Sequence, residues 1–232
     1  MAALGPLSLN KTARPTMIIT IDGPAGSGKS SAAKELARRL GFEFLDTGAM
    51  YRAVTLAALR GGVDVSDPQA MQHLLDELRL EMSPGRVLLN GEDVSQKIRA
   101  GTVTAASGAV ADSPVVRRRL VEWQRQIAAG RNMVCEGRDQ GTVVFPQAEC
   151  KFFLVAQPEE RARRRQRDMA ARGEDVAWDE VLNAQELRDA RDRDRNLAPM
   201  IPASDAIILD STQLTMDQVV ERMEQHVRQK TV

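Results

Sequence analysis

Residues 23–30 read GPAGSGKS, following a short β-branched run, Met17–Ile21, that ends in Asp22, and opening a segment, Lys29–Leu40, with helical character. This G-x-x-x-x-G-K-[ST] arrangement limits the fold more than any other feature. A phosphate loop works only where a strand passes through a glycine-rich turn into a helix N-terminus, so that backbone amides and the helix dipole face the anion. Gly23, Gly26 and Gly28 let the backbone curl, Pro24, Ala25 and Ser27 complete the loop, and Ser31 follows in the helix. Lys29 suits the β- and γ-phosphates of a nucleoside triphosphate, and the Ser30 hydroxyl suits Mg2+. GTPases, ATPases and small-molecule kinases share this loop, so function has to come from other residues.

The remaining pattern alternates strand-like and helical stretches. FEFLD at 42–46, NMVCEG at 132–137, KFFLVA at 151–156 and AIILD at 206–210 are candidate strands, and 48–60 reads as a helix. Such alternation implies an α/β fold, a mostly parallel sheet covered by helices on both faces. Between Asp64 and Ala100 the pattern changes to a helix at 70–78 followed by two strand-like pieces, 78–82 and 86–94, around Ser83-Pro84-Gly85. This reads as an inserted αββ subdomain. Residues 158–195 hold ten arginines and eleven acids with a break at Gly173, which reads as a solvated helical hairpin. The expected organisation is a disordered leader at 1–16, a core of 17–63, 101–157 and 196–232, an insertion at 64–100 and a lid at 158–195.

Composition narrows the function. Thirty-two basic residues balance 32 acidic ones, leaving no global field to gather nucleic acid or an anionic membrane. Of the basic residues, 26 are arginine and six lysine; this favours forked phosphate contacts, and a GC-rich genome produces the same bias. Cys135 and Cys150 lie far from C-x-x-C spacing and from the isolated His73 and His226, so no zinc site follows. No stretch approaches the ~20 apolar residues that span a bilayer. A cytoplasmic monomer is expected, with no nucleic-acid or membrane partner.

Three further clusters carry candidate chemistry. Thr47, Tyr51 and Arg52, in LDTGAMYR, can converge near the carboxyl end of a parallel sheet, where ligands bind; taken alone they also fit a helix surface. Arg138 and Asp139 follow a strand and are bracketed by Gly137 and Gly141, implying a close backbone approach. Arg188, Arg191, Asp192 and Arg195 fall at i, i+3, i+4 and i+7, one helical stripe. That stripe is either a row aimed at an anion or a helix laced by its own ion pairs.

GPAGSGKS, LDTGAMYR, EGRDQGTVVFP and RDARDRDR, in this order, resemble the bacterial cytidylate kinases from Met17 to about Gln229. The resemblance implies a P-loop NTPase-type sheet with an inserted monophosphate-binding subdomain and a helical lid, ATP as phosphoryl donor with Mg2+, and CMP or dCMP as acceptor. It implies that Thr47 and Tyr51 line the monophosphate pocket and that Arg52 and Arg138 hold its phosphate. Arg117, in SPVVR, and Asp139 would read the cytosine edge, where a carboxylate accepts from the amino group and guanidinium donors meet the ring acceptors. Uracil presents a carbonyl at the amino position and would be repelled. Arg188 and Arg195 would be lid arginines reaching the transferring phosphoryl group, and Asp192 would contact the sugar hydroxyls. The family's serine nine residues before the arginine matched by Arg117 is Gly108 here, with Ser107 one step earlier, and Gln140 stands where an apolar residue is common. Magnesium rests on Ser30, with no second carboxylate evident.

Two other classes compete. A nucleotide-dependent switch would hydrolyse slowly and need no small acceptor, a reading disfavoured by the convergent Arg138, Asp139 and Arg188. A kinase of UMP or shikimate would keep loop and lid but lack a cytosine reader. Nucleic-acid binding is distant, with eight aromatic residues in the chain.

Overall fold

The computed structural model describes residues 16–83, 85–171 and 173–230. The expected leader therefore lies outside the described residues except for Thr16. Five parallel strands form the main sheet: β1 (Ile18–Asp22), β2 (Glu43–Asp46), then, after the insertion, β6 (Met133–Gly137), β7 (Cys150–Val155) and β8 (Ile207–Asp210), in the order β2-β6-β1-β7-β8. Helices α1 (Lys29–Leu40) and α8 (Met216–Lys230) cover one face, where Leu36, Val220 and Met223 pack on Ile19, Ile21 and Phe152. Helices α2 (Thr47–Gly61), α4 (Gly101–Asp112) and α5 (Pro114–Ala128) cover the other, around Leu45, Met133, Cys135 and Leu120. Met133 and Cys135 enter one core and Val134 the other. A strand buried on both faces explains why β6 reads as an unbroken apolar run rather than an alternating one.

The inserted region contains α3 (Pro68–Glu77) and the strands β3 (Leu80–Ser83), β4 (Arg86–Leu89) and β5 (Glu92–Asp93), a small antiparallel sheet. Asp67 caps α3 by accepting from Gln69 and Ala70 amides, and Pro68 occupies the first turn, where its missing N–H costs nothing. The second expected strand, 86–94, is two. Asn90 and Gly91, at φ 50° and 84°, fold it into a hairpin, the turn chemistry that Asn-Gly favours. Helices α4 and α5, at 101–128, were not expected from the sequence. Beyond β7 the chain runs through α6 (Pro158–Ala170) and α7 (Trp178–Asp194), which pack against each other beside the phosphate loop.

The topology fixes where a ligand sits. The chain leaves β1 through α1 to β2 at the sheet edge, and leaves β6 to cross β1 into β7. Connections thus diverge at the carboxyl end of β1, the place where open parallel sheets bind ligands.

Candidate active site

The phosphate loop follows β1 at that end. Gly23 has φ 142°, and a Cβ there would stand 2.1 Å from the Leu154 carbonyl oxygen, so the loop can lie against β7 only with glycine. Gly28, in the left-handed region, precedes α1 without a side-chain cap. The first-turn amides of α1 are therefore unspent on a side chain, as an anion site requires. By contrast Asp46 caps α2, accepting from the Ala49 amide at 2.7 Å.

Lys29 is buried; its Nζ donates to the Pro24 carbonyl at 3.4 Å and lies 3.8 Å from Glu136 Oε2. Burial, then Arg138, pushes its pKa down to about 8, with Glu136 opposing. Arg188 keeps an exposed side chain, yet desolvation by the surrounding residues and then Arg138 lower its pKa to about 10, with Asp192 opposing and Arg52 adding to the depression. Lys29, Arg52, Arg138 and Arg188 thus lie near enough to act on one another's charge: Arg138 and Arg188 on Lys29, and Arg138 and Arg52 on Arg188. Like charges are gathered at this cost where an anion is to be bound.

Glu136 is the residue the sequence reading missed. It is the penultimate residue of β6, opposite Ile21, and accepts from Ser30 Oγ at 2.9 Å. Ser30 and Glu136 thereby place hard oxygen donors beside the loop, which fits Mg2+. The detectable signal was a carboxylate closing the buried run MVCEG. Thr47, expected in the monophosphate pocket, spends its hydroxyl on the Glu136 carbonyl at 2.7 Å and locks α2 to β6.

Arg138 Nε donates to Asp192 Oδ2 at 3.0 Å, bringing α7 onto the sheet end. Arg52 lies 3.3 Å from Asp46 Oδ2. Asp139 and Arg117 form a fully buried pair, Arg117 Nη1 also donating to the Ala111 carbonyl at 3.1 Å. Burial raises the Asp139 carboxyl pKa while Arg117 holds it down. Tyr51 faces this pair, its ring centroid 5.8 Å from the Arg117 guanidinium, and burial pushes its phenol up to about 12.

The lid stripe divides. Arg188 and Asp192 turn toward Arg138, whereas Arg191 turns to Asp112 at 2.6 Å and packs its guanidinium over Gly108. Arg195 lies 4.0 Å from Asp192 Oδ1, on the carboxylate that also holds Arg138, and 3.9 Å from Asp112 Oδ1, and its guanidinium donates to the Ala198 carbonyl at 2.9 Å. Because α7 ends at Asp194, Arg195 is extended rather than helical. Ser107 is buried and its hydroxyl donates to its own helix, at the Thr104 carbonyl. Gln140 is matched by Gln124 of α5, which accepts from its amide at 3.1 Å. The glycines bracketing Arg138-Asp139 are crowded by protein: Gln140 and Thr47 at Gly137, Thr20 and Lys151 at Gly141.

Asp22 orients this segment. Its carboxylate accepts from the amides of Gln140 at 2.9 Å and Gly141 at 2.8 Å, while burial raises its pKa to about 7. A carboxyl near 4 when unfolded and near 7 when folded binds more protons in the folded state between those values, so its charge costs stability as pH rises through that window. The full cost, about 4 kcal/mol, stands above pH 7. Thermal midpoints from pH 4 to 8 are expected to fall less steeply for Asp22→Asn than for the unsubstituted protein; parallel curves would refute the shift.

A phosphate loop between β1 and α1, a parallel sheet with the crossover at β1 and a group of mutually acting cations beside α7 define a P-loop nucleotide-dependent phosphotransferase. The family model for cytidylate kinase matches residues 19–229. The cytidylate kinase of Rhodopirellula baltica is 48% identical over 92% of this chain and 93% of its own. That of Vibrio cholerae is 46% identical over 94% and 98%, and that of Caldanaerobacter subterraneus 45% over 93% and 96%. The chain belongs to the cytidylate kinase family. No helix among the described residues is long and apolar enough to cross a membrane.

Proposed function

We propose that this chain transfers the γ-phosphoryl group of ATP to the 5′-phosphate of CMP or dCMP, giving CDP or dCDP and ADP. The observation that carries this reading is the cluster of Lys29, Arg52, Arg138 and Arg188 at the mouth of the phosphate loop. One triphosphate needs the loop and Lys29; the additional arginines call for a second phosphate facing it. Arg52 and Arg138 hold the acceptor phosphate, and Arg188 meets the group in transfer. The acceptor is already an oxyanion, so alignment and charge stabilisation suffice and no strong base is required.

Ser30 and Glu136 would hold Mg2+, which when bound neutralises charge on the β- and γ-phosphate oxygens. Arg117 and Asp139 read the cytosine edge, with Tyr51 beside them and Ser107 on the neighbouring helix. Asp192 meets the sugar hydroxyls, and Arg195, on the same carboxylate as Arg138, joins Arg188 at the transferring group. Residues 158–195 act as a lid whose closure excludes water, and the inserted residues 64–100 shape the monophosphate side. A cytoplasmic monomer completes the reading, in keeping with the two buried free cysteines.

The test is ADP release with ATP and Mg2+, run with CMP, dCMP, UMP, AMP, GMP, shikimate or no acceptor. Strong release with CMP and dCMP, weak release with UMP and none without acceptor is the expected result. Release that no acceptor stimulates would overturn the kinase reading in favour of a nucleotide switch.

A further inference from the structure

Gln185 lies in the middle of α7, one turn before Arg188 and Asp189, and 94% of it is buried, its exposure being 6%. Neither its amide nitrogen nor its carbonyl oxygen has a hydrogen-bond partner among the described residues. A buried amide with both ends unsatisfied is costly, and in folded proteins it is uncommon enough to require a reason. Its direction supplies one. Gln185 Nε2 is 2.8 Å from where a Cβ on Gly26 would stand, so the side chain projects onto the fourth residue of the phosphate loop. Ser27, next along that loop, also has a buried hydroxyl without a partner.

The neighbours of Gln185 are already committed. Arg161 donates from Nε to the Ala156 carbonyl at 3.0 Å, from Nη1 to the Ala25 carbonyl at 3.1 Å, and to Asp189 Oδ2. Asp189 is therefore charge-compensated and does not set a repulsive field over the loop, although its Oδ1 is unpartnered. What remains facing Gly26 is a neutral donor with nothing to donate to. Gly26 itself is in the left-handed region at φ 76°, so the tight approach of α7 depends on the absence of a side chain there.

We infer that Gln185 is a ligand of the triphosphate chain: with ATP in the loop, its Nε2 donates to a phosphate oxygen on the Gly26 side, so that α7 senses the donor nucleotide directly. This rests on the reading of the loop as an ATP site and deepens it. Arg188, one turn on, reaches the same polyphosphate from the acceptor side, so a single helix contacts both halves of the reaction. A neutral amide suits that position, because another cation beside Lys29 and Arg188 would raise the repulsion already evident in their lowered pKa values.

The experiment compares the full chain with Gln185→Leu and Gln185→Glu, measuring thermal midpoint without ligand, the midpoint with ATP and Mg2+ but no acceptor, and KM for ATP and CMP. Leucine keeps the volume and removes the unsatisfied amide, so the unliganded midpoint should hold or rise. ATP affinity should fall about tenfold, the loss of one hydrogen bond to a charged group, while KM for CMP stays within about a factor of two. Glutamate, placing a negative charge against phosphate, should weaken ATP further than leucine does. Undiminished ATP affinity in both variants would overturn the inference. So would a leucine variant that melts lower without ligand and loses ATP and CMP alike, the mark of a purely structural residue. An unsubstituted chain that ATP does not stabilise would overturn the ATP-site reading itself and this inference with it.

Discussion

Lys29→Met should lower turnover with ATP and CMP by about a hundred- to a thousandfold, the range seen when one preorganised stabiliser of a developing charge is removed. The expectation follows from where the ammonium is held. Lys29 is buried in the first turn of α1, tied to the Pro24 carbonyl of its own loop and 3.8 Å from Glu136. Its pKa is pushed down to about 8 by burial and by Arg138, so the folded protein bears a cost to keep a cation there. A charge held against its own preference contributes most when negative charge spreads over the group in transfer. ATP binding should suffer less than turnover, because the loop amides and the amino end of α1 are untouched by the substitution. Methionine keeps the length of the side chain, so circular dichroism and gel filtration should match the unsubstituted protein. Turnover within tenfold of the original would remove Lys29 from the chemistry.

The parts of this site that were legible in the sequence are the local ones. β1, the loop and α1 are contiguous, and a loop of this composition has one workable conformation between a strand and a helix. The end of β2 and the start of α2 were legible for the same reason, Asp46 capping the helix that begins at Thr47. What escaped depends on register. Glu136 reaches Ser30 only because β6 lies beside β1 with Glu136 opposite Ile21, a pairing across more than a hundred residues. The Arg117–Asp139 pair was named through family resemblance; no spacing rule joins a residue on α5 to one after β6. The helix at 101–112 escapes a sequence reading because all of α4 but its last residue, Asp112, is glycine, alanine, threonine, valine or serine, with no strong polar face to mark a period. Ser113-Pro114 was an available boundary, since proline is placed at the start of α5. Arg188, Arg191 and Asp192 share one helix, with Arg195 just past its end, but helical spacing alone does not give them a single direction. Long side chains at its rim instead find separate partners, Arg191 at Asp112 and Asp192 at Arg138.

Asp139 and Arg117 give the second large effect, and here stability and recognition must be separated. Both residues are 4% exposed and hydrogen-bonded to each other, and Arg117 is further held by the Ala111 carbonyl. Asp139→Ala leaves a buried guanidinium without its counter-charge, which should destabilise the fold by about 3–5 kcal/mol, read by urea unfolding. Loss of activity in that variant alone would therefore prove little. Asp139→Asn keeps the shape and one acceptor while replacing the other oxygen with a donor. Its kcat/KM for CMP should fall about a hundredfold, because a site built to accept from the cytosine amino group then presents a hydrogen to it. UMP, with a carbonyl at that position, should lose little or gain, so the CMP-to-UMP ratio collapses. The paired replacement Arg117→Met with Asp139→Leu removes both charges at once, and apolar side chains of similar volume commonly restore what breaking a buried pair costs. That double variant should recover most of the unfolding free energy yet none of the preference for CMP. A stable double variant that still prefers CMP would show that the pair only braces α5 against the end of β6, and the base would then have to be read elsewhere.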